Sequence, residues 1–256
     1  MRILFTNDDG IHAPGLRTLV RTFSRAGHTA YVCAPDRERS GASHSSTLVV
    51  PLRAMPMEVP GAAAAWAAEG TPSDCASLGL FLCREAGVDL VISGINRGMN
   101  QGGACIYSGT VGAAMEAAMQ GVQALAVSLC VGPAHGEDHS DYEPAARLAL
   151  RVADWMRGHP LPIGAMYNLN VPPIPYGQIR GIRPATLAPL FLGPSDFDVL
   201  EDGGERRYRL RPTSLHTFDD PDCDICGTDR GYATLTRLTW DFRLNADDSE
   251  LGEIDL

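Results

Sequence analysis

Two periodicities of apolar residues alternate along the first two thirds of the chain. "RILFT" (residues 2–6) is a short continuous apolar run of the kind a fully buried strand shows. Residues 29–35 ("TAYVCAP"), 89–94 ("DLVISG"), 124–129 ("ALAVSL") and 166–172 ("MYNLNVP") read the same way. Between them the period lengthens. In "PGLRTLVRTFSRAG" (14–27), Leu16, Leu19, Val20 and Phe23 share one helical face, with Pro14 near the start and Gly27 at the close. Residues 71–87 open on Thr-Pro-x-Asp, a capping signal, and predict a helix ending at Gly87. Residues 108–121 form a small-residue helical pattern, and 143–158 an amphipathic one. Strands alternating with helices predict an α/β domain with a mostly parallel sheet covered on both faces, spanning residues 1–172.

Past residue 172 the texture changes. Proline and glycine become dense, and "RRYRLRP" (206–212) and "YATLTRLTWDF" (232–242) alternate polar with apolar residues. Residues 173–256 therefore read as β-rich hairpins or an arm packed on the core, with a frayed acidic tail at 245–256. The late stretch 227–242 has strand-like alternation but no obvious partner in a parallel sheet. It is expected to pair with a second copy of the chain.

Composition narrows the classes. The formal charge of −10 argues against a nucleic-acid polymer as partner, yet leaves room for a small anionic substrate at a locally positive site. No apolar run is long enough to span a membrane, and Asp8 and Asp9 come too early for a signal peptide, so the expectation is a cytoplasmic protein without a membrane partner. The seven cysteines are scattered, as buried free thiols are. Cys223-x-x-Cys226 supplies only two zinc ligands, with no second CxxC or HxxxH after it, and reads as a pair of loop thiols.

Ligands of a doubly wound sheet bind outside the carboxyl ends of its strands. Four polar clusters fall there: Asp8-Asp9 after the first strand, "PDRERSGASHSS" (35–46) after the second, "SGINRGMNQGG" (93–103) after the third, and "YSGTVG" (107–112) at a helix start. Adjacent carboxylates repel, and a cation between them relieves this. Asp8, Asp9, Ser40 and Asn96 are hard oxygen donors that suit Mg²⁺ or Mn²⁺, or Ca²⁺, and not a soft metal. Ser108, Gly109 and Thr110 offer N–H groups and hydroxyls to an anion at a helix N-terminus. A hard cation beside an anion site indicates phosphoryl chemistry. The chain lacks G-x-G-x-x-G after its first strand, a P-loop, and the G-x-S-x-G elbow.

"TNDDGIHAPG", "APDRERSGASHS", "GTPSDC", "SGINRGMNQG" and "IYSGTVGAAMEA" closely resemble, in order, the motifs of the stationary-phase survival protein family, SurE. "NLNVP" and "GIRPA" also fit, and the similarity covers residues 1–185, with a weaker echo in "GTDRGYATLTRLTWD". The resemblance implies a Rossmann-like three-layer core and metal-dependent hydrolysis of nucleoside 5′- and 3′-monophosphates. It implies one divalent cation per subunit on Asp8, Asp9, Ser40 and Asn96, and phosphate contacts from Asn100, Ser108, Gly109 and Thr110. It further implies a homodimer, sometimes paired into a tetramer, through an exchanged C-terminal segment. Asp8 or Asp9 is the candidate base, and His44 a candidate acid. Ala104 departs from the family, which usually carries an acidic residue shortly before "YSGT". Two other readings stay open: a phosphatase specialised for another small phosphorylated metabolite, and a non-catalytic nucleotide-binding protein.

Overall fold

A computed structural model describes residues 1–131, 141–189, 196–202, 205–211 and 220–240. In chain order the elements begin with β1 (Arg2–Thr6), α1 (Pro14–Arg25), β2 (Thr29–Pro35), β3 (Ala54–Met57), β4 (Ala62–Ala68) and α2 (Pro72–Leu82). Then come β5 (Leu90–Arg97), α3 (Gly109–Met119), β6 (Gln123–Leu129), α4 (Glu143–Met156) and β7 (Ala165–Val171). The last group is β8 (Ile182–Pro184), β9 (Asp196–Asp202), β10 (Glu205–Arg211), α5 (Asp224–Asp229) and β11 (Ala233–Thr239).

Nine strands form one sheet in the order β3-β4-β2-β1-β5-β6-β7-β11-β8. From β4 to β7 neighbours run parallel; β3 turns back on β4, and β11 lies antiparallel to β7 and parallel to β8. The pleat sorts β1 between two cores. Ile3 and Phe5 join Leu16, Leu19, Phe23 and the apolar face of α4, whereas Leu4 joins Cys75, Ala114 and Ala118 of α2 and α3 on the other side. These are the three layers expected. Among the described residues, no helix is long and apolar enough to cross a membrane.

Several boundaries differ from the sequence reading. Helix α2 stops at Leu82, and the chain turns through Gly87 at φ +73° to enter β5. Strands β3 and β4 were not anticipated, because "AAAAWAA" carries neither alternation nor β-branched residues. It is a strand because β2 gives it a parallel ladder and Ala65, Ala67 and Ala68 are buried. Residues 233–239 do not need a second copy as a partner. They insert between β7 and β8 of their own chain, with Ala233, Thr234, Thr236 and Leu238 buried. Residues 206–211 do lie in a hairpin, β9–β10, which among the described residues forms a separate two-stranded sheet. Cys223 and Cys226 are not loop thiols, since Cys223 caps α5 and Cys226 lies within it. All seven cysteines are free. The tail at 245–256 and the end of the 227–242 stretch lie outside the described residues.

Candidate active site

Strand β1 ends in a buried turn. Asn7 is fully buried and donates from Nδ2 to the Gly10 carbonyl at 2.9 Å. Gly10 sits at φ +95°, and a Cβ there would lie 3.1 Å from the Arg37 backbone, so the turn after β1 packs directly on the loop after β2. The Arg39 amide donates to the Asp8 carbonyl at 2.7 Å and fastens the two loops together.

Asp8 itself is buried, and its carboxylate meets the start of α3. The Thr110 hydroxyl donates to Asp8 Oδ1 at 2.6 Å. Gly109 makes this approach feasible. A Cβ at that position would lie 3.0 Å from Asp8 Cβ and 2.9 Å from Pro72 Cγ. Burial pushes the Asp8 carboxyl above its ordinary value, and the Thr110 hydroxyl opposes that shift. Asp9 is pushed up to about 6, first by burial and then by the charge on Asp8. Its Oδ2 accepts from the Arg97 amide at 3.3 Å. The two carboxylates therefore play different parts. Asp8 faces a cleft of about 290 Å³ and the α3 N-terminus, whereas Asp9 turns toward the end of β5.

Ser40, Asn96, Asn100, Ala104 and Ser108 line that cleft together with Asp8. Asn96 reaches it through an irregularity in β5, where the pairing with β6 skips between Ser93 and Asn96. Its Nδ2 donates to the Gly98 carbonyl at 3.0 Å, which leaves the oxygen as its donor end toward a cation. The exposed Ser40 hydroxyl donates to Glu38 Oε1 at 2.6 Å. Ser108 caps α3 by accepting from the Val111 amide at 3.1 Å. Asn100 is held in a buried amide network. Its backbone N–H donates to Asn170 Oδ1 at 2.9 Å, its Nδ2 donates to Ser128 Oγ at 2.8 Å, and its carbonyl accepts from Asn168 and Asn170.

The donor set fits a hard divalent cation. The Asp8 carboxylate lies in one cleft with the neutral side-chain oxygens of Ser40 and Asn96, and the charge of Asp8 reaches Asp9, which is not among the cleft's lining residues. Among the described residues, no group of three or more His, Cys, Asp or Glu is placed to hold a metal, so neutral oxygens would complete the set. The side-chain oxygens of Asn7 and Ser93 are buried without a hydrogen-bond partner among the described residues.

The structure thus brings Asp8, Ser40, Asn96, Asn100 and Ser108 to one cleft, with Gly109 and Thr110 directly behind Asp8. It gives Thr110 to Asp8 and not to the open cleft. His44 is not among the cleft's lining residues; its ring lies 2.8 Å from Glu116 on α3. Glu38 escaped the sequence reading, although its charge raises both aspartates. Its position two residues before Ser40 was the available signal.

A family model described as "Survival protein SurE" matches residues 3–190. The chain belongs to the SurE family. The "5′-nucleotidase SurE" of Gloeobacter violaceus is 41% identical over 244 residues, covering 94% of this chain and 90% of that protein. The "5′/3′-nucleotidase SurE" of Citrobacter koseri is 40% identical over 238 residues, 93% of this chain and 90% of the other. The crystal structure of the SurE protein from Aquifex aeolicus superposes with a TM-score of 0.80 at 27% identity, over 98% of this chain and 100% of that one. The SurE fold therefore extends through the C-terminal strands.

Proposed function

We propose that the chain is a divalent-metal-dependent phosphomonoesterase that hydrolyses nucleoside 5′- and 3′-monophosphates to nucleoside and phosphate. The observation that carries this reading is the convergence of Asp8, Ser40 and Asn96 with Asn100 and Ser108 on one cleft, at the mouth of α3. The SurE relatives named as nucleotidases support it. Asp8, Asp9, Ser40 and Asn96 would hold one Mg²⁺ or Mn²⁺ per subunit. When bound, such a cation supplies Lewis-acid stabilisation of phosphoryl charge and acidifies water.

The protein's own groups do the rest. Thr110 orients Asp8 and opposes the upward shift that its burial causes. Ser108, Asn100 and the Gly109 amide bind the phosphate, the amide being one of the N–H groups that has no acceptor within the helix. Of the two aspartates, the one with an oxygen left free takes the proton from the attacking water. The assembly we propose is a homodimer or tetramer formed through the C-terminal region.

The test is phosphate release from 5′- and 3′-AMP with Mg²⁺ or Mn²⁺, with and without EDTA. Metal-stimulated release, abolished by EDTA and by Asp8→Ala, is expected. Binding of AMP without release would favour a non-catalytic nucleotide-binding protein. A second reading draws on Ala104, which lines the cleft without charge or hydrogen-bonding side chain. It makes the protein a phosphatase for another small phosphorylated metabolite, and turnover of a sugar phosphate far above AMP in a substrate panel would favour it.

A further inference from the structure

The dithiol Cys223-x-x-Cys226 takes no part in the cleft chemistry, yet the fold places it with care. Cys223 is the N-cap of α5, fully buried, and its sulfur accepts a hydrogen bond from the Cys226 amide at 3.3 Å. The Cys226 residue is half-buried, and the neighbouring Cys223 thiol raises its thiol above the ordinary value. The two sulfurs thus lie side by side across one helical turn, in free thiol form, with one shielded and one reachable. A disulfide needs neighbouring Cβ atoms and converging sulfurs, and the 3.3 Å approach of the Cys226 amide to the Cys223 sulfur brings the two residues together within one turn.

Helix α5 is also tied to the cleft rim. Asp224, the residue after Cys223, is fully buried and accepts from the Gly102 amide at 2.9 Å and the Ala188 amide at 2.9 Å. Gln101 donates to the Asp224 carbonyl at 2.8 Å and to Thr228 Oγ1 at 3.1 Å. The segment after Asn100 is therefore held by the same turn that carries the dithiol.

We propose that Cys223 and Cys226 form a reversible dithiol–disulfide site, oxidised by a low-molecular-weight disulfide of the glutathione class. The reachable Cys226 thiolate attacks the small disulfide, forming a mixed disulfide and releasing one small thiol. Cys223 then attacks the Cys226 sulfur, the mixed bond breaks, and a second small thiol leaves. The protein loses two protons and two electrons, and the small disulfide takes them up to become two thiols. Cys33 and Cys75, buried in the core beneath α2, are a second pair of neighbouring thiols, but both are fully shielded. They stay reduced under the same treatment.

The native full-length protein is incubated with oxidised glutathione, quenched in acid, and read by intact mass and peptide mapping. Wild type should lose two hydrogens, carry the bond between residues 223 and 226, retain no glutathione, and revert with dithiothreitol. Cys223→Ser should keep one glutathione on Cys226, because nothing resolves the adduct. Cys226→Ser should stay unmodified at Cys223. Wild type that remains reduced at both positions, or that retains a stable glutathione adduct, overturns the proposal, as does Cys223 modified as readily in Cys226→Ser as Cys226 is in wild type. None of these readouts depends on phosphatase activity.

Discussion

Thr110 is the residue whose role changes most between sequence and structure. As part of "YSGTVG" it reads as a phosphate contact at a helix start. In the fold its hydroxyl is spent on Asp8. Thr110→Val should therefore weaken cation binding as well as slow phosphate release, with the fold retained. A lost hydrogen bond to a charged group costs about 1.5–3 kcal/mol, and so roughly tenfold to over a hundredfold in binding or rate. Metal titration by calorimetry, run beside the kinetics, checks this. Unchanged cation affinity would return Thr110 to the phosphate. Gly109→Ala acts on the same contact by volume. Its Cβ would press on a proline ring at 2.9 Å and on Asp8 at 3.0 Å, and overpacking of this sort costs about 1–3 kcal/mol. A lowered Tm together with lost activity is expected; wild-type values for both would mean that α3 shifts freely. That Asp8, Ser40 and Asn96 meet at one rim was legible in the sequence, because each follows a strand and the strands of a parallel sheet end on the same side. Glu38 and the partner of Thr110 were not, because only the packing of the loop after β2 on β1 brings those groups together.

Helix α2 shows how a capping signal does more than start a helix. Thr71 and Asp74 form the expected reciprocal box. The same Asp74 carboxylate also accepts from the Thr47 amide at 2.8 Å and the Thr47 hydroxyl at 2.7 Å. It thereby pins the loop that follows β2 to the helix, and these bonds hold its carboxyl below the ordinary 3.8 although burial works the other way. A depressed folded-state value means stability that is present above the unfolded value and lost as pH falls through the folded one. Asp74→Asn would put an amide N–H against donors. It should cost about 2 kcal/mol at neutral pH, in the range of a cap plus a charged hydrogen bond, and the gap to wild type should narrow as pH drops below 3.8. Denaturant melts at neutral pH and near pH 3 measure it; a gap that does not change with pH removes the charge from the account. At this scale the periodic elements were readable: α1 from Leu16, Leu19, Val20 and Phe23, and β1, β2, β6 and β7 to within a residue or two. The end of α2 was overrun because "CREAG" has good helix formers, and only the entry into β5 forces the turn. Strand β4 was invisible because alanine carries no strand preference of its own.

For the whole molecule, the partner of β11 decides what can be tested. Removing the chain from Gly227 onward would take a strand out of the sheet, so it cannot isolate assembly from folding. The β9–β10 hairpin can. Among the described residues its two strands form a separate two-stranded sheet, and on one of its faces Phe197 sits opposite Leu210 and Val199 opposite Tyr208, all exposed. An exposed apolar face on such a hairpin suits contact with another copy. Deleting residues 196–211 should give a smaller species by light scattering with Tm little changed. An unchanged mass would place the subunit contact elsewhere. The amphipathic alternation of this hairpin was visible in "RRYRLRP". That "ATLTRLT" belongs to the main sheet was not, because nothing local to a strand states which edge it joins.

The insertion of β11 between β7 and β8 also sets an order of events during synthesis. When β8 leaves the ribosome, the edge of β7 where it will eventually be anchored through β11 is still bare. Roughly fifty residues must follow, at about 5–20 residues per second, before the intervening strand arrives. For those seconds the β7 backbone from Ala165 to Asn170, which β11 will pair, stands as an open edge. The nascent chain can assemble β1 to β7 with their helices, but it cannot seal that edge. This interval is when a holdase would bind and when misassociation between growing chains would begin. Slowing translation after β8 should therefore lower the soluble yield more than slowing it after β11.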